Sequence, residues 1–108
     1  MKNFKLEEMT KGWFVGDFYP VSLKTTDAEV AIKKYNAGET EAEHVHRIAT
    51  EVTVILKGRV RMFEQEWETG DIIVIEPNES TAFEALEDTL TVVVKTPSVA
   101  GDKYIVEK

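Results

Sequence analysis

The feature that most narrows what this chain can become is the spacing of its apolar residues, which recur at every second position in short runs that stop at glycine, proline, asparagine or aspartate. Alternate side chains of a strand face opposite sides, so such runs read as half-buried strands rather than helix. Strands are expected over residues 29–35, 43–47, 51–56, 59–63, 72–75, 80–85 and 89–95, with a hairpin returning through Glu64-Gln65-Glu66 to Trp67. Asn36-Ala37-Gly38, Lys57-Gly58, Thr69-Gly70-Asp71 and Pro77-Asn78-Glu79 supply the turns between them. Helix is confined to one possible turn around Leu6-Glu7-Glu8-Met9. Strands at this spacing indicate an all-β sandwich or barrel.

A chain of 108 residues suits one domain over 1–108, which leaves room for a single site. Its first segment, 1–28, carries the aromatic cluster Trp13, Phe14, Phe18 and Tyr19 and is expected to pack on the domain or on a partner subunit. Trp13 and Trp67 read as core or interface fillers. The tail 97–108 is expected to pack back through Tyr104 and Val106, and residues 101–104 form no recognisable motif.

A net charge of −7 and a pI near 4.8 oppose nucleic acid or an anionic membrane as partner, since either needs a concentrated basic face. Lys33-Lys34 and the Arg59/Arg61 pair read as solvated charges, although an inward Arg59 or Arg61 would suit an acidic substrate. The absence of cysteine excludes disulfides, zinc–thiolate sites, iron–sulfur clusters and thiol catalysis. The first eight residues turn acidic too early for a signal peptide, and no apolar stretch approaches membrane-spanning length, so a soluble cytoplasmic protein is expected.

His44 and His46 are two apart, which on a strand directs both imidazoles to one spot. Glu51 opens the following strand within reach of the same point. Two imidazoles and a carboxylate suit iron(II), manganese, nickel, cobalt or zinc, and leave coordination positions open for water or substrate. Period two places Thr53 and Ile55 in line with Glu51 and suggests Phe63, Arg61, Arg59 and Thr81 along the same cavity, with Phe83 joining if its strand bulges. Such a pocket, largely apolar with few polar groups, would take a small molecule.

The spacing Gly38, five residues, His44, one residue, His46, four residues, Glu51, six residues, Gly58 resembles the first motif of the cupin family at every fixed position. Gly70-Asp71-Ile72-Ile73-Val74-Ile75-Glu76-Pro77 looks like the opening of the second, and the resemblance extends over residues 29–96. It implies a six-to-eight-stranded antiparallel jelly-roll β-barrel with a divalent metal at its mouth, and a homodimer that would bury exposed Trp13 and Phe18.

One position departs from the pattern. The further histidine that metal-binding cupins typically draw from the second motif falls at Thr81 or Ala82, and the turn glycine falls at Asn78 or Glu79. The ligand set is then His44, His46 and Glu51, completed by water, Thr81 or a carboxylate such as Glu84. Two functions follow from the resemblance. One is a metal-dependent enzyme of the dioxygenase or isomerase kind, with Glu51 as first candidate for proton transfer. The other is a metal-free cup that binds a sugar or other small metabolite through His44 and His46. No helix-turn-helix accompanies the domain to give a regulator its output.

Overall fold

The computed structural model describes residues 1–107. Eleven strands follow two short 3₁₀ turns, Leu6–Glu8 and Thr10–Gly12: β1 Trp13–Gly16, β2 Leu23–Lys24, β3 Glu29–Tyr35, β4 Thr40–Val45, β5 Thr50–Lys57, β6 Arg59–Met62, β7 Gln65–Glu68, β8 Ile72–Ile75, β9 Ser80–Ala85, β10 Thr89–Thr96 and β11 Tyr104–Ile105. They form a six-stranded sheet in the order β2-β1-β3-β10-β5-β8 and a five-stranded sheet in the order β11-β4-β9-β6-β7. All pairings are antiparallel except β1 with β2.

The all-β jelly-roll expectation holds, with one correction. The two sheets are not closed into a barrel: their edges are β2 and β8 in one, β11 and β7 in the other, and no ladder among the described residues joins them. The strand count exceeds six to eight because short pieces of the N-terminal segment and the tail add β1, β2 and β11 to the sheets. The tail does pack back, through Tyr104 against Val45 and Val106 N–H to the Glu43 carbonyl; its last residue, Lys108, lies outside the described residues.

The core sits between the sheets and extends to the cavity beside the histidines, where Met62, Ile75 and Phe83 belong to both. Ile55, Val60, Met62, Ile73, Ile75, Phe83 and Ala85 form it, with Tyr35, Phe63 and Trp67 against its margin. Trp67 fills space as expected and donates its indole N–H to the Met62 carbonyl at 2.9 Å. Gly58 permits the tight β5–β6 turn: its φ is +104°, and an added Cβ would lie 2.4 Å from Thr89 Oγ1 and 2.6 Å from the Asp88 carbonyl oxygen.

The strand expected over 59–63 ends one residue early. Phe63 and Glu64 both take left-handed φ, 53° and 59°, and make the two-residue turn that joins β6 to β7. No glycine or asparagine marks that turn, so composition conceals it.

The outer face of the six-stranded sheet is more apolar than an exposed face usually is. The registers align Val30, Val94, Val52 and Val74 in one row across β3, β10, β5 and β8, and Ile32, Val92, Val54 and Ile72 in the next. Ile72 and Val74 at the β8 edge are 63% and 51% exposed. No helix among the described residues is long and apolar enough to cross a membrane.

Ile55 is fully buried at the centre of this core rather than in the pocket expected for it. Ile55→Ala is therefore expected to lower stability by about 3 kcal/mol in a denaturant titration. A loss under about 1 kcal/mol would contradict its central position.

Candidate metal centre

Three elements bring the candidate ligands together. His44 lies near the end of β4, His46 just beyond it, and Glu51 on β5. The imidazole rings stand edge to face with centroids 5.2 Å apart. One ligand atom from each of His44, His46 and Glu51 falls within 4.8 Å of the others, the spread that a single cation can span.

Each imidazole is turned by its other nitrogen. His44 Nδ1 lies 3.0 Å from the Ala42 carbonyl oxygen, and His46 Nδ1 makes a short hydrogen bond to the Asp102 carbonyl oxygen. A carbonyl only accepts, so both Nδ1 atoms carry the hydrogen in the neutral rings, which leaves the Nε2 lone pairs free.

His46 Nε2 lies 3.3 Å from Glu51 Oε1, within ion-pair range but off the line of a hydrogen bond. It is buried with no hydrogen-bond partner. An orphaned buried lone pair beside a carboxylate is a place that a cation would satisfy. The residues present therefore fit a divalent metal.

The two imidazoles differ in their electrostatics. Burial lowers the His44 pKa and favours the neutral ring a metal needs. His46 runs the other way: the Glu51 carboxylate raises its pKa against the effect of burial and favours the protonated ring, so a metal must displace that proton. For Glu51 burial is the largest influence and acts upward. The opposing pull of His46, Lys95 and the Thr53 hydroxyl, which donates to Oε2 at 3.1 Å, nevertheless leaves its pKa below the usual carboxylate value. Glu51 is thus ionised at neutral pH.

A cavity of about 60 Å³ opens on these groups. Thr53, Thr81 and Phe83 line it, together with Met62, Ile75 and Val93. Phe83 arrives without a bulge in its own strand, because Thr81 and Phe83 are two apart on β9. The irregularity lies in the β4–β9 register, where β4 gains a residue between Glu41 and His44.

Thr81 stands directly across from His44 in that register and is buried, so the absent third histidine maps to Thr81 and not to exposed Ala82. Its hydroxyl is engaged: it accepts from Phe63 N–H at 2.8 Å and donates to the Ala82 carbonyl at 2.7 Å. Asn78 occupies the left-handed turn position at φ +71°, where glycine was expected by resemblance.

Several expected lining residues lie elsewhere. Arg59 and Arg61 are exposed on β6 and pair with Glu66 at 3.0 and 3.3 Å. Phe63 and Glu84 border a second hollow, which shares Glu41, Met62, Thr81 and Phe83 with the cavity; Glu84 is three residues from Thr81 and so on the opposite face of β9.

Eleven of the residues that line the cavity were not singled out for it, among them Trp13, Lys33, Tyr35 and Lys95. Lys33 and Lys34 are adjacent on β3, and neighbours on a strand point to opposite sides. Lys34 is exposed as expected, whereas Lys33 is half-buried and turned inward. That alternation was a usable signal.

Asp102 was the other omission. Its carboxylate accepts backbone N–H groups of Arg47 at 2.9 Å, Ile48 at 3.2 and 3.3 Å, and Ala49 at 2.9 Å, while its carbonyl holds His46. Burial raises its pKa, but these backbone donors outweigh it and keep the carboxyl below its ordinary value. Asp102→Ala is expected to lower stability by about 1–3 kcal/mol and to speed amide exchange at Arg47, Ile48 and Ala49 at least about tenfold. Unchanged exchange at these amides would show that Asp102 does not hold the loop.

No family model and no curated protein matches the chain. Solved structures do match in fold. An uncharacterised conserved protein with a double-stranded β-helix domain from Klebsiella pneumoniae superposes with a TM-score of 0.74 at 21% identity, covering 99% of this chain and 93% of that one. A cupin-2 domain containing protein from Shewanella frigidimarina gives 0.55 at 17% identity, over 67% and 72% of the two chains. The DMSP lyase DddQ from Ruegeria pomeroyi gives 0.72 at 14% identity, over 87% of this chain and 49% of that one. The chain has the fold of a small cupin, a double-stranded β-helix domain.

Proposed function

We propose that this protein is a metal-dependent enzyme acting on a small metabolite, with a divalent ion held by His44, His46 and Glu51. The observation that carries the reading is the orphaned Nε2 of His46, which faces the Glu51 carboxylate inside a cavity. The similarity to DddQ, a lyase, supports it in one respect: the same fold houses an enzyme.

The ion would supply Lewis acidity or redox chemistry at positions the protein leaves open, as in oxygenases or isomerases. The chain's own residues have separable tasks. Carbonyls at Nδ1 fix both imidazoles, and the Thr53 hydroxyl orients Glu51. Ionised Glu51 is able to accept a proton and not to donate one, so any acid–base step begins with it as the base. Met62, Ile75, Phe83 and Val93 keep the inner end of the cavity dry, which strengthens polar interactions at the site.

Iron, manganese, nickel and zinc are the ions to test by plasma mass spectrometry. About one equivalent is expected in the wild-type protein, with loss of at least about tenfold in affinity for His44→Ala while its circular dichroism stays native. Full metal retention by His44→Ala would remove His44 from the site. A wild-type chain that takes up none of the four ions would leave the metal-free cup.

We also propose a homodimer, built on the outer face of the six-stranded sheet rather than on Trp13 and Phe18. Trp13 lines the cavity, and the Phe18 ring packs over Gly16. The two aliphatic rows carry no charge, so two copies of a chain of net charge −7 can meet there without opposing like charges. Val74→Lys is expected to convert a dimer to a monomer in light scattering. A monomeric wild-type chain would contradict the proposal.

A further inference from the structure

We infer that the cavity takes a small organic acid whose carboxylate is received by Lys33. This deepens the proposed function and rests on it for the part played by His44, His46 and Glu51.

The argument begins with an unmatched charge. Lys33 is inward on β3, half-buried, and stands across from Thr91 rather than from a carboxylate. Its ammonium is 5.2 Å from the centroid of the Trp13 ring and makes no ion pair among the described residues. Burial lowers its pKa, and Lys103 and Lys95 add repulsion against the attraction of Glu41.

Lys95 shows what a matched lysine looks like in the same cavity. Its Nζ is 4.0 Å from Glu29 Oε1, its register partner is Glu51, and its ammonium lies 4.8 Å from the centroid of the same Trp13 ring. A half-buried ammonium without such a partner is unfavourable unless a counter-charge arrives.

None of the carboxylates lining the cavity forms an ion pair with Lys33, although Glu41 attracts it from a distance. Glu51 accepts from Thr53 and faces His46, Glu79 accepts the Glu76 N–H at 2.8 Å, and Glu41 lies beside the Tyr35 hydroxyl. Lys33, Lys95 and Lys103 equal Glu41, Glu51 and Glu79 in number among the lining residues, and Glu29 beside Lys95 adds one further negative charge. A bound dication then leaves the cavity positive, inside a chain that is acidic overall. An anion is the ligand that restores the balance.

Size and donor type narrow the anion. A cavity of about 60 Å³ has the volume of roughly two waters, so it admits only the carboxylate end of a short acid and leaves the rest of the ligand at its mouth. No arginine lines it and no helix terminus points into it among the described residues, which removes the usual phosphate receptors. The ligand's remaining polar group would face the triad, with Trp13 as an apolar wall.

The test uses the full chain, with and without reconstituted zinc, and calorimetry at low ionic strength. The probes are succinate, its uncharged counterpart succinamide, and inorganic phosphate. Succinate is expected to bind at least about tenfold more tightly than succinamide and phosphate. Lys33→Met is expected to lose that preference, Lys33→Arg to keep most of it, and Lys34→Met, on the exposed face, to match wild type. Near-UV circular dichroism checks that each variant is folded.

Equal binding of succinate and succinamide, no measurable succinate binding, or a preference that survives in Lys33→Met would overturn the inference. Tighter binding of phosphate than of succinate would overturn the carboxylate assignment. Zinc content measured on the same samples separates the two readings. One equivalent of zinc without succinate preference sinks the anion site alone; a Lys33-dependent preference in protein that takes no metal sinks the metal reading alone.

Discussion

The carboxylate of Asp102, gathering the backbone N–H groups of Arg47, Ile48 and Ala49, is the contact on which the arrangement of the site depends. These amides belong to the loop between β4 and β5, the stretch that separates His46 from Glu51. Left alone, four residues of loop would hold the two ligands loosely, because each unfixed residue retains conformational freedom worth about 1–2 kcal/mol. The tail removes that freedom, and the same residue's carbonyl sets the His46 ring. One residue thus fixes both the position of a loop and the direction of a lone pair.

The six-stranded sheet divides its chemistry between two faces in an unusual way. Its inner face carries Glu29, Lys33, Tyr35, Lys95 and Glu51, whereas its outer face carries two rows of valine and isoleucine. The apolar core is accordingly pushed towards the β6 and β8 end, where Ile55, Val60, Ile73 and Phe83 meet. The other end of the space between the sheets holds charged groups, matched across strands as in the row Glu29, Lys95, Glu51. Burying charge in this way contributes little to stability, but it prepares a site where electrostatic interactions are strong.

How far the sequence foretold this depends on the range of the interaction involved. Apolar patterning and turn residues located β3, β8 and β9 to the residue, since both are local properties. The His44, His46 and Glu51 grouping was also legible, because a two-residue step on a strand and a short loop nearly force the convergence. Asp102 was not, for its role uses a carbonyl and backbone amides more than 50 positions away, and neither leaves a mark in side-chain pattern. The β6–β7 hairpin was expected through Glu64-Gln65-Glu66, but its turn is the shorter pair Phe63 and Glu64, because Phe63, a residue that ordinarily extends a strand, is left-handed there. Lys33 was misread as half of a solvated pair, although adjacency on a strand already required one of the two lysines to turn inward.

The most direct measurement is long-range ¹H–¹⁵N NMR of the two imidazoles during a zinc titration, which reports the protonation and ligation of each ring nitrogen separately. Carbonyl-bound Nδ1 atoms require that His44 and His46 stay protonated at Nδ1 and that both Nε2 resonances shift together to a single saturating equivalent of zinc. Coordination through Nδ1, or a shift at only one of the two rings, would contradict a centre built on His44, His46 and Glu51.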